Sequence, residues 1–165
     1  MRTMAIGILL VILASIFIEP LTELVNVFRE RLVVSTAVNN AVRAAKDRSL
    51  EYELLRGLDA QIDENRFKAY FETAFEDAMN MTRTGSDGDT MIFRSDDGKY
   101  NDFRVALAFD AKEDLASGQI VTEVDVTVES DYKFKTKYLK LAEDANKDAG
   151  FRLIAERSFV VSVKN

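Results

Sequence analysis

The side chains of this chain that could take part in chemistry are carboxylates, lysines, tyrosines and hydroxyls. Its 165 residues include no His and no Cys. A disulfide framework, a His or Cys zinc site, a Cys nucleophile and a His-dependent triad are therefore excluded. Two carboxylates can still serve as the acid and base of a hydrolase, but no pair is placed in a cleft by its spacing alone. We therefore expect a protein that is not an enzyme.

One segment has the spacing of a metal loop. In the sequence EDANKDAG, oxygen-bearing side chains alternate at Asp144, Asn146 and Asp148, which is typical of the start of a calcium loop. The match is partial, because an EF-hand needs Gly after its fifth position and an acid at its twelfth. The chain has Ala149 and Ala155 there. Calcium is the one cofactor that the sequence suggests, and the alternative is a polar connection between a helix and a strand.

The charge of the chain is unevenly distributed. Residues 1–50 carry six Lys or Arg and four Asp or Glu, whereas residues 51–165 carry sixteen and twenty-four, a balance of −8. An acidic body argues against binding to nucleic acid, which needs a basic face to meet the phosphates. It also argues against peripheral binding to anionic lipid.

The N-terminus begins with an apolar run, Met4–Ile18, that contains no charge. At 1.5 Å per residue the run reaches roughly 22 Å, which is short of the ~30 Å hydrocarbon core of a bilayer. Three explanations compete. A secretory signal peptide fits the length of the run. A transmembrane anchor must continue through Glu19, Pro20 and Glu23, where charged groups are costly. The third explanation is a helix that packs against other copies of the chain.

The apolar pattern continues beyond Pro20 in two lines with helical spacing. The first line is Leu21, Leu24, Val25, Phe28, Leu32, Ser35, Thr36 and Asn39, and the second is Val27, Val34, Val38, Ala41, Val42 and Ala45. Apolar residues therefore surround most of the helix up to about residue 45. A helix that is apolar all round must be buried on all sides. A small head covers one side of so long a helix, and neighbouring copies in a filament would cover the rest.

Two carboxylates and a proline interrupt this helix at Glu19, Pro20 and Glu23. Pro20 has no N–H and crowds the carbonyl four residues before it, which predicts a kink or a short unwound stretch. Alternatively, Glu19 ends a membrane segment and Pro20 opens a new helix. In a filament the two carboxylates would need cations, for which Arg2 and the α-amine of neighbouring subunits are the candidates. If Glu19 instead ends a membrane segment, both carboxylates are expected at the interface between membrane and water. We interpret Arg29–Arg31 as a solvated turn of helix.

The N-terminal third of the chain resembles a known family. A nearly uncharged run, then Glu19, Pro20 and a long amphipathic helix that leads into a β-rich head, is similar to the type IV pilins and their relatives. These include the TadE-like minor pilins and the pilin-like proteins of Gram-positive bacteria. The stretch VNNAVRAAKDRSLE (38–51) is similar to the same group. The resemblance covers about residues 1–55 and differs at the fifth position, where type IV pilins usually have Glu and this chain has Ala5.

The resemblance implies a structural subunit of an extracellular pilus or fimbrium. Such a subunit is held in the cell membrane with its head outside the cytoplasm. Assembly machinery then polymerises copies into a cell-surface filament with the N-terminal helices in its core. Adhesion, motility or DNA uptake would follow from the filament, and no nucleic-acid contact is expected for the subunit. The alternative is a single-pass membrane protein with a soluble sensor or scaffold domain. Arg29 and Arg31 after the apolar run, against only Arg2 before it, favour a cytoplasmic body.

The chain divides into an N-terminal hydrophobic helix, residues 1–55, and an acidic head, residues 56–165, and its fold class is α+β. In the head we expect an amphipathic helix over 63–80 that Asp63 caps and that buries an aromatic face. About four antiparallel strands are expected, over 91–94, 104–110, 122–129 and 151–164, and a short helix over 136–143. Residues 82–90 are expected to form a loop. Arg157 falls on the apolar face of the last strand and predicts a bulge there.

Overall fold

The computed structural model of the protein describes residues 2–50, 62–114, 119–145 and 150–161. Three helices and five strands lie within these ranges. In chain order they are α1 (Arg2–Ser49), α2 (Glu64–Met79), β1 (Met81–Asp87), β2 (Thr90–Ser95), β3 (Phe103–Asp114), β4 (Gln119–Asp131), α3 (Lys137–Ala145) and β5 (Arg152–Val161). The fold is therefore α+β, with a long N-terminal helix, as the sequence predicts.

The N-terminal helix α1 is one uninterrupted helix of 48 residues with Pro20 in its interior. Neither the unwound stretch nor the second helix that Pro20 predicts is present. Pro20 removes a single backbone hydrogen bond, and the helix continues on both sides of it. The hydroxyls of Ser15 and Thr22 donate to the carbonyls of Val11 and Ile18, at 2.9 and 2.8 Å. These two hydroxyls therefore need no partner outside the helix.

The five strands form one antiparallel sheet in which each strand lies next to its neighbour in the sequence. Glycines with left-handed backbone lie in the first two turns, Gly88 with φ +59° and Gly98 with φ +66°. This conformation favours glycine because it has no Cβ. β3 and β4 pair along most of their length, from Arg104–Glu129 to Asp114–Gln119. Side chains along an antiparallel strand point alternately to the two faces of the sheet, so that one face is apolar and packs on the core and the other is polar and meets solvent.

The strand that the sequence prediction lacks is β1, whose residues were expected to form a loop. Its only buried side chain is Met81, so the apolar alternation that signals a strand is absent. Hydrogen bonds hold β1 in place, since the Arg83 N–H donates to Glu76 Oε1 of α2 at 2.7 Å. Its pairing with β2 shifts between Arg83 and Gly85, which is a bulge of the kind common at sheet edges.

The last strand, β5, has no bulge. Its pairing with β4 runs without a shift from Thr122–Val161 to Asp131–Arg152, so the bulge predicted from Arg157 is wrong. Arg157 lies opposite Val126, but its guanidinium extends to α1, where Nη2 donates to Ser35 Oγ at 2.7 Å. A long side chain that keeps its charged end exposed lets Arg157 stay in register.

The helix α2 packs on the sheet through the aromatic face that its sequence predicts. Asp63 is the N-cap, and its carboxylate accepts the Arg66 N–H at 3.0 Å. The fully buried aromatic side chains of α2 are Phe67, Phe71 and Phe75. Phe75 meets Phe93 of β2 edge-on, with 5.1 Å between ring centroids. The aromatic face is therefore hydrophobic core, which confirms the prediction.

The C-terminal half of α1 completes the core of the head. Its buried residues come from the second apolar line and include Val34, Val38, Ala41, Val42 and Ala45. This part of α1 packs against α2 and β5. The predicted boundary near residue 55 lies outside the described residues, and the core itself extends back along α1 to Val34.

Candidate functional site: the exposed helix and its junction with the head

The N-terminal part of α1 projects from the head. We call Thr3–Thr22 the exposed segment, because all its large apolar side chains are exposed. They are Met4, Ile6, Ile8, Leu9, Leu10, Val11, Ile12, Leu13, Ile16, Phe17, Ile18 and Leu21. At 1.5 Å per residue the segment extends about 30 Å, the thickness of a hydrocarbon core. Its length and composition suffice to cross a membrane, although a signal sequence would have the same properties.

A second apolar surface, which we call the distal stripe, lies further along α1. It comprises Leu24, Val25, Phe28 and Leu32, of which Phe28 is 62% exposed and Leu32 69% exposed. Their spacing places them on one side of the helix, opposite the side that enters the head. From Met4 to Leu32 the exposed apolar surface extends about 42 Å, which is more than one bilayer core covers when the helix stands upright.

Glu23 is the first residue of α1, counted from Thr3, that the head buries. Its side chain is 0% exposed, and Oε1 accepts the backbone N–H of Lys135 at 2.5 Å. Tyr132 is buried beside it. Among the described residues, neither Glu23 Oε2 nor the Tyr132 hydroxyl has a partner in hydrogen-bonding geometry. Burial raises the pKa of Tyr132, and the nearby Glu23 carboxylate raises it further.

Glu30 lies two turns further along the same side of α1 and is also buried. Lys135 Nζ donates to Glu30 Oε1 at 2.5 Å, and the Tyr100 hydroxyl donates to Glu30 Oε2. Lys99 Nζ lies 3.7 Å from the same Oε2. The buried charge thus has the cations and hydrogen bonds that it requires. Burial and the bond to Glu30 raise the pKa of Tyr100.

We call Glu23, Glu30, Tyr100, Tyr132 and Lys135 the junction. The prediction of a solvated turn at Arg29–Arg31 is wrong for Glu30, which lies in the junction. It is correct for Arg29 and Arg31, whose side chains are exposed. The difference follows from helix geometry, because neighbours in sequence lie on different sides of a helix.

The structure separates the residues that were predicted to pair charges in a filament. Arg2 begins α1, and Glu19 and Pro20 lie near the end of the exposed segment. Arg2 and Glu19 are 17 residues apart, about 25 Å along the helix, so a contact between them requires two chains. Glu23 is enclosed by the head of its own chain, where its Oε1 accepts the Lys135 N–H. Pairing of these carboxylates with a neighbour's Arg2 stays a prediction.

Sequence reasoning missed Glu30, Tyr100, Tyr132 and Lys135. A signal for Glu30 was present, because residues seven positions apart lie on the same side of a helix. Glu30 follows Glu23 at this spacing, and the same side carries Val34 into the core. Both carboxylates therefore had to face the head.

The predicted calcium ligands lie in and after α3. Asp144 is exposed near the C-terminal end of this helix, and Asn146 and Asp148 lie outside the described residues. Within the ranges that the structure describes, no group of three or more acidic, His or Cys side chains is arranged to hold a metal. Calcium binding stays a prediction, as does the expectation that the chain is not an enzyme.

The exposed segment, the distal stripe and the junction together define the site. No protein-family model, curated protein or solved structure matches this chain.

Proposed function

We propose that the protein is a structural subunit of a pilus-like filament on the cell surface. Its N-terminal helix first anchors the chain in the membrane and then packs against the helices of other copies. The observation that supports this proposal best is the distal stripe, an exposed apolar surface that continues past a membrane-length segment. The pilin-like pattern of residues 1–55 favours the same role.

The surroundings of the distal stripe favour a protein partner over lipid. Arg29 and Arg31 are exposed at the level of the stripe, and charged side chains avoid the hydrocarbon core. An apolar patch that stays in water is typical of a protein interface. Leu24, Phe28 and Leu32 are spaced four residues apart and form a ridge of the kind that fits the groove of a second helix.

The position of the head is compatible with a filament core built from α1. The junction attaches the head to the side of α1 opposite the distal stripe. When stripes from several copies meet at a common axis, the heads lie outside. The charge balance of −8 over residues 51–165 then faces solvent, where like charges are screened.

The alternative function is a single-pass membrane protein with a soluble sensor or scaffold domain. The exposed segment alone is long enough for this role. A monomeric anchor, however, gives the distal stripe no partner. The two functions therefore differ in whether the stripe is needed.

Substitution in the stripe distinguishes the two functions. Leu32→Glu changes an exposed residue, so the head should fold normally, but each subunit would carry a charge into an apolar interface. We expect electron microscopy of sheared surface material to show no filaments, with the chain still in the membrane fraction. The matched control is Val160→Glu, because Val160 is an apolar residue of β5 with similar exposure. Filaments in normal number from Leu32→Glu would overturn the proposal.

A further inference from the structure

One stretch of the head departs from its acidic character. Residues 132–141 read YKFKTKYLKL, with lysines at 133, 135, 137 and 140 and no acidic residue. The stretch includes the loop that follows β4 and the first half of α3. The side chains of Lys137 and Lys140 are exposed.

The basic stretch lies at the end of the head from which the exposed segment leaves. Lys135 donates its backbone N–H to Glu23, and Glu23 directly follows the exposed segment. Lys137, the first residue of α3, is two positions further. The opposite end of the head is near Ala45, 22 residues and about 33 Å further along α1. When the exposed segment spans a bilayer, the basic stretch is therefore close to its surface.

Exposed apolar side chains accompany the lysines. Leu141 of α3 is 56% exposed, and Phe151 is also exposed. Phe151 is held beside the basic stretch, because its carbonyl accepts the Tyr132 N–H at 2.7 Å. Its ring also meets that of Phe134 with 5.7 Å between centroids. Lysines next to exposed apolar side chains on a short helix are typical of segments that lie in the membrane interface.

We propose that the stretch from Lys133 to Leu141, together with Phe151, rests on the anionic headgroups of the membrane that holds α1. Lys137 and Lys140 meet the lipid phosphates, and the two apolar side chains enter the headgroup layer. The other two lysines are held within the head, because Lys135 Nζ donates to Glu30 and Lys133 Nζ donates to the Gly98 carbonyl. An acidic body would otherwise be repelled from an anionic leaflet. The proposal requires the exposed segment to lie in a bilayer, but it does not require the chain to polymerise.

A fluorescent reporter on α3 tests the contact in the full chain. The chain has no cysteine of its own, so Ala145→Cys gives a unique labelling position at an exposed residue of α3. The labelled chain is reconstituted in vesicles of phosphatidylcholine alone or of phosphatidylcholine mixed with phosphatidylglycerol. Lipid with a nitroxide at its headgroup quenches dyes that approach the surface. We expect several-fold stronger quenching in the mixed vesicles, and weaker quenching in high salt.

Charge reversal identifies the residues that are responsible. Lys137→Glu with Lys140→Glu should abolish the difference between the two vesicle types. The matched control is Arg43→Glu with Lys46→Glu, which makes the same change of charge at the other end of the head and should keep the difference. Circular dichroism verifies that both double variants are folded. Equal quenching in neutral and mixed vesicles, or quenching that survives the first double variant, would overturn the inference.

Filament formation is scored separately by electron microscopy. If the chain forms filaments but its quenching does not depend on anionic lipid, the inferred membrane contact is wrong and the proposed function stands. If quenching depends on anionic lipid but the chain never polymerises, the membrane contact stands and the proposed function is wrong.

Discussion

Lys135 Nζ lies 2.5 Å from Glu30 Oε1, and this contact joins the loop before α3 to the middle of α1, 105 positions earlier in the chain. The backbone N–H of the same lysine donates to Glu23, two turns away on the same side of the helix. Because these two contacts lie at different positions along the axis of α1, they fix both the rotation of the head about α1 and the distance between the head and α1. The junction therefore determines which side of α1 stays exposed as the distal stripe.

Removal of the Glu30 carboxylate should weaken the head. Glu30→Ala leaves the Tyr100 hydroxyl and the Lys135 ammonium without their acceptor. We expect a loss of about 2 kcal/mol in the free energy of unfolding. This is less than the ~3–5 kcal/mol lost when a fully buried ion pair is broken, because the Lys135 side chain is partly exposed and can turn to water. Urea unfolding in detergent micelles measures the loss. Asp77→Ala, at an exposed acid of α2, is the control and should change stability by less than about 0.5 kcal/mol.

Glu19 and Glu23 should behave differently when each is replaced by alanine. Glu23→Ala leaves the partly buried Lys135 N–H without its acceptor and should cost about 1–3 kcal/mol of head stability. Glu19→Ala should leave the head folded. Since Arg2 and Glu19 meet only between chains, Glu19→Ala and Arg2→Ala should each lower the yield of filaments. Normal yields from both variants would remove the idea of charge pairing between subunits.

The elements that the sequence predicts well are those whose apolar residues repeat regularly. α2 is an example, because Phe67, Phe71 and Phe75 follow helical spacing and Asp63 supplies a recognisable cap. Strand β4 is another, with Val124, Val126 and Val128 on its buried face. β1 lacked this signal, since pairing with β2 rather than burial holds it in the sheet.

The junction shows what a sequence alone does not provide. The pattern of α1 indicates that carboxylates at 19 and 23 need an explanation, but the partner of Glu23 lies 112 positions away. That partner is a backbone N–H, which every residue except proline possesses, so no residue type identified Lys135. Only the fold brings this loop to α1.

The aromatic face of α2 should contribute a large part of the stability of the head. Phe75→Ala removes a fully buried ring that contacts Phe71, Phe93 and Phe103. We expect a loss of about 3–5 kcal/mol, seen as a lower urea midpoint. The control is Tyr70→Ala in the same helix, where Tyr70 is 36% exposed and its ring contacts the Arg48 guanidinium of α1, and it should cost less. Comparable losses in the two variants would mean that α2 does not pack through its phenylalanines.

The head should lose stability in alkaline solution through the two tyrosines of the junction. Burial and the carboxylates of α1 raise the pKa values of Tyr100 and Tyr132, so the folded head holds these protons more tightly than the unfolded chain does. The stability that results is complete below about pH 10, the ordinary pKa of tyrosine, and is lost as the pH rises further. Two of the five tyrosines should therefore ionise only as the head unfolds. The ultraviolet absorbance of tyrosinate, recorded together with circular dichroism, measures this coupling. In Tyr132→Phe, only one tyrosine should remain that ionises as the head unfolds. Ionisation of all five tyrosines while the head stays folded would contradict the prediction.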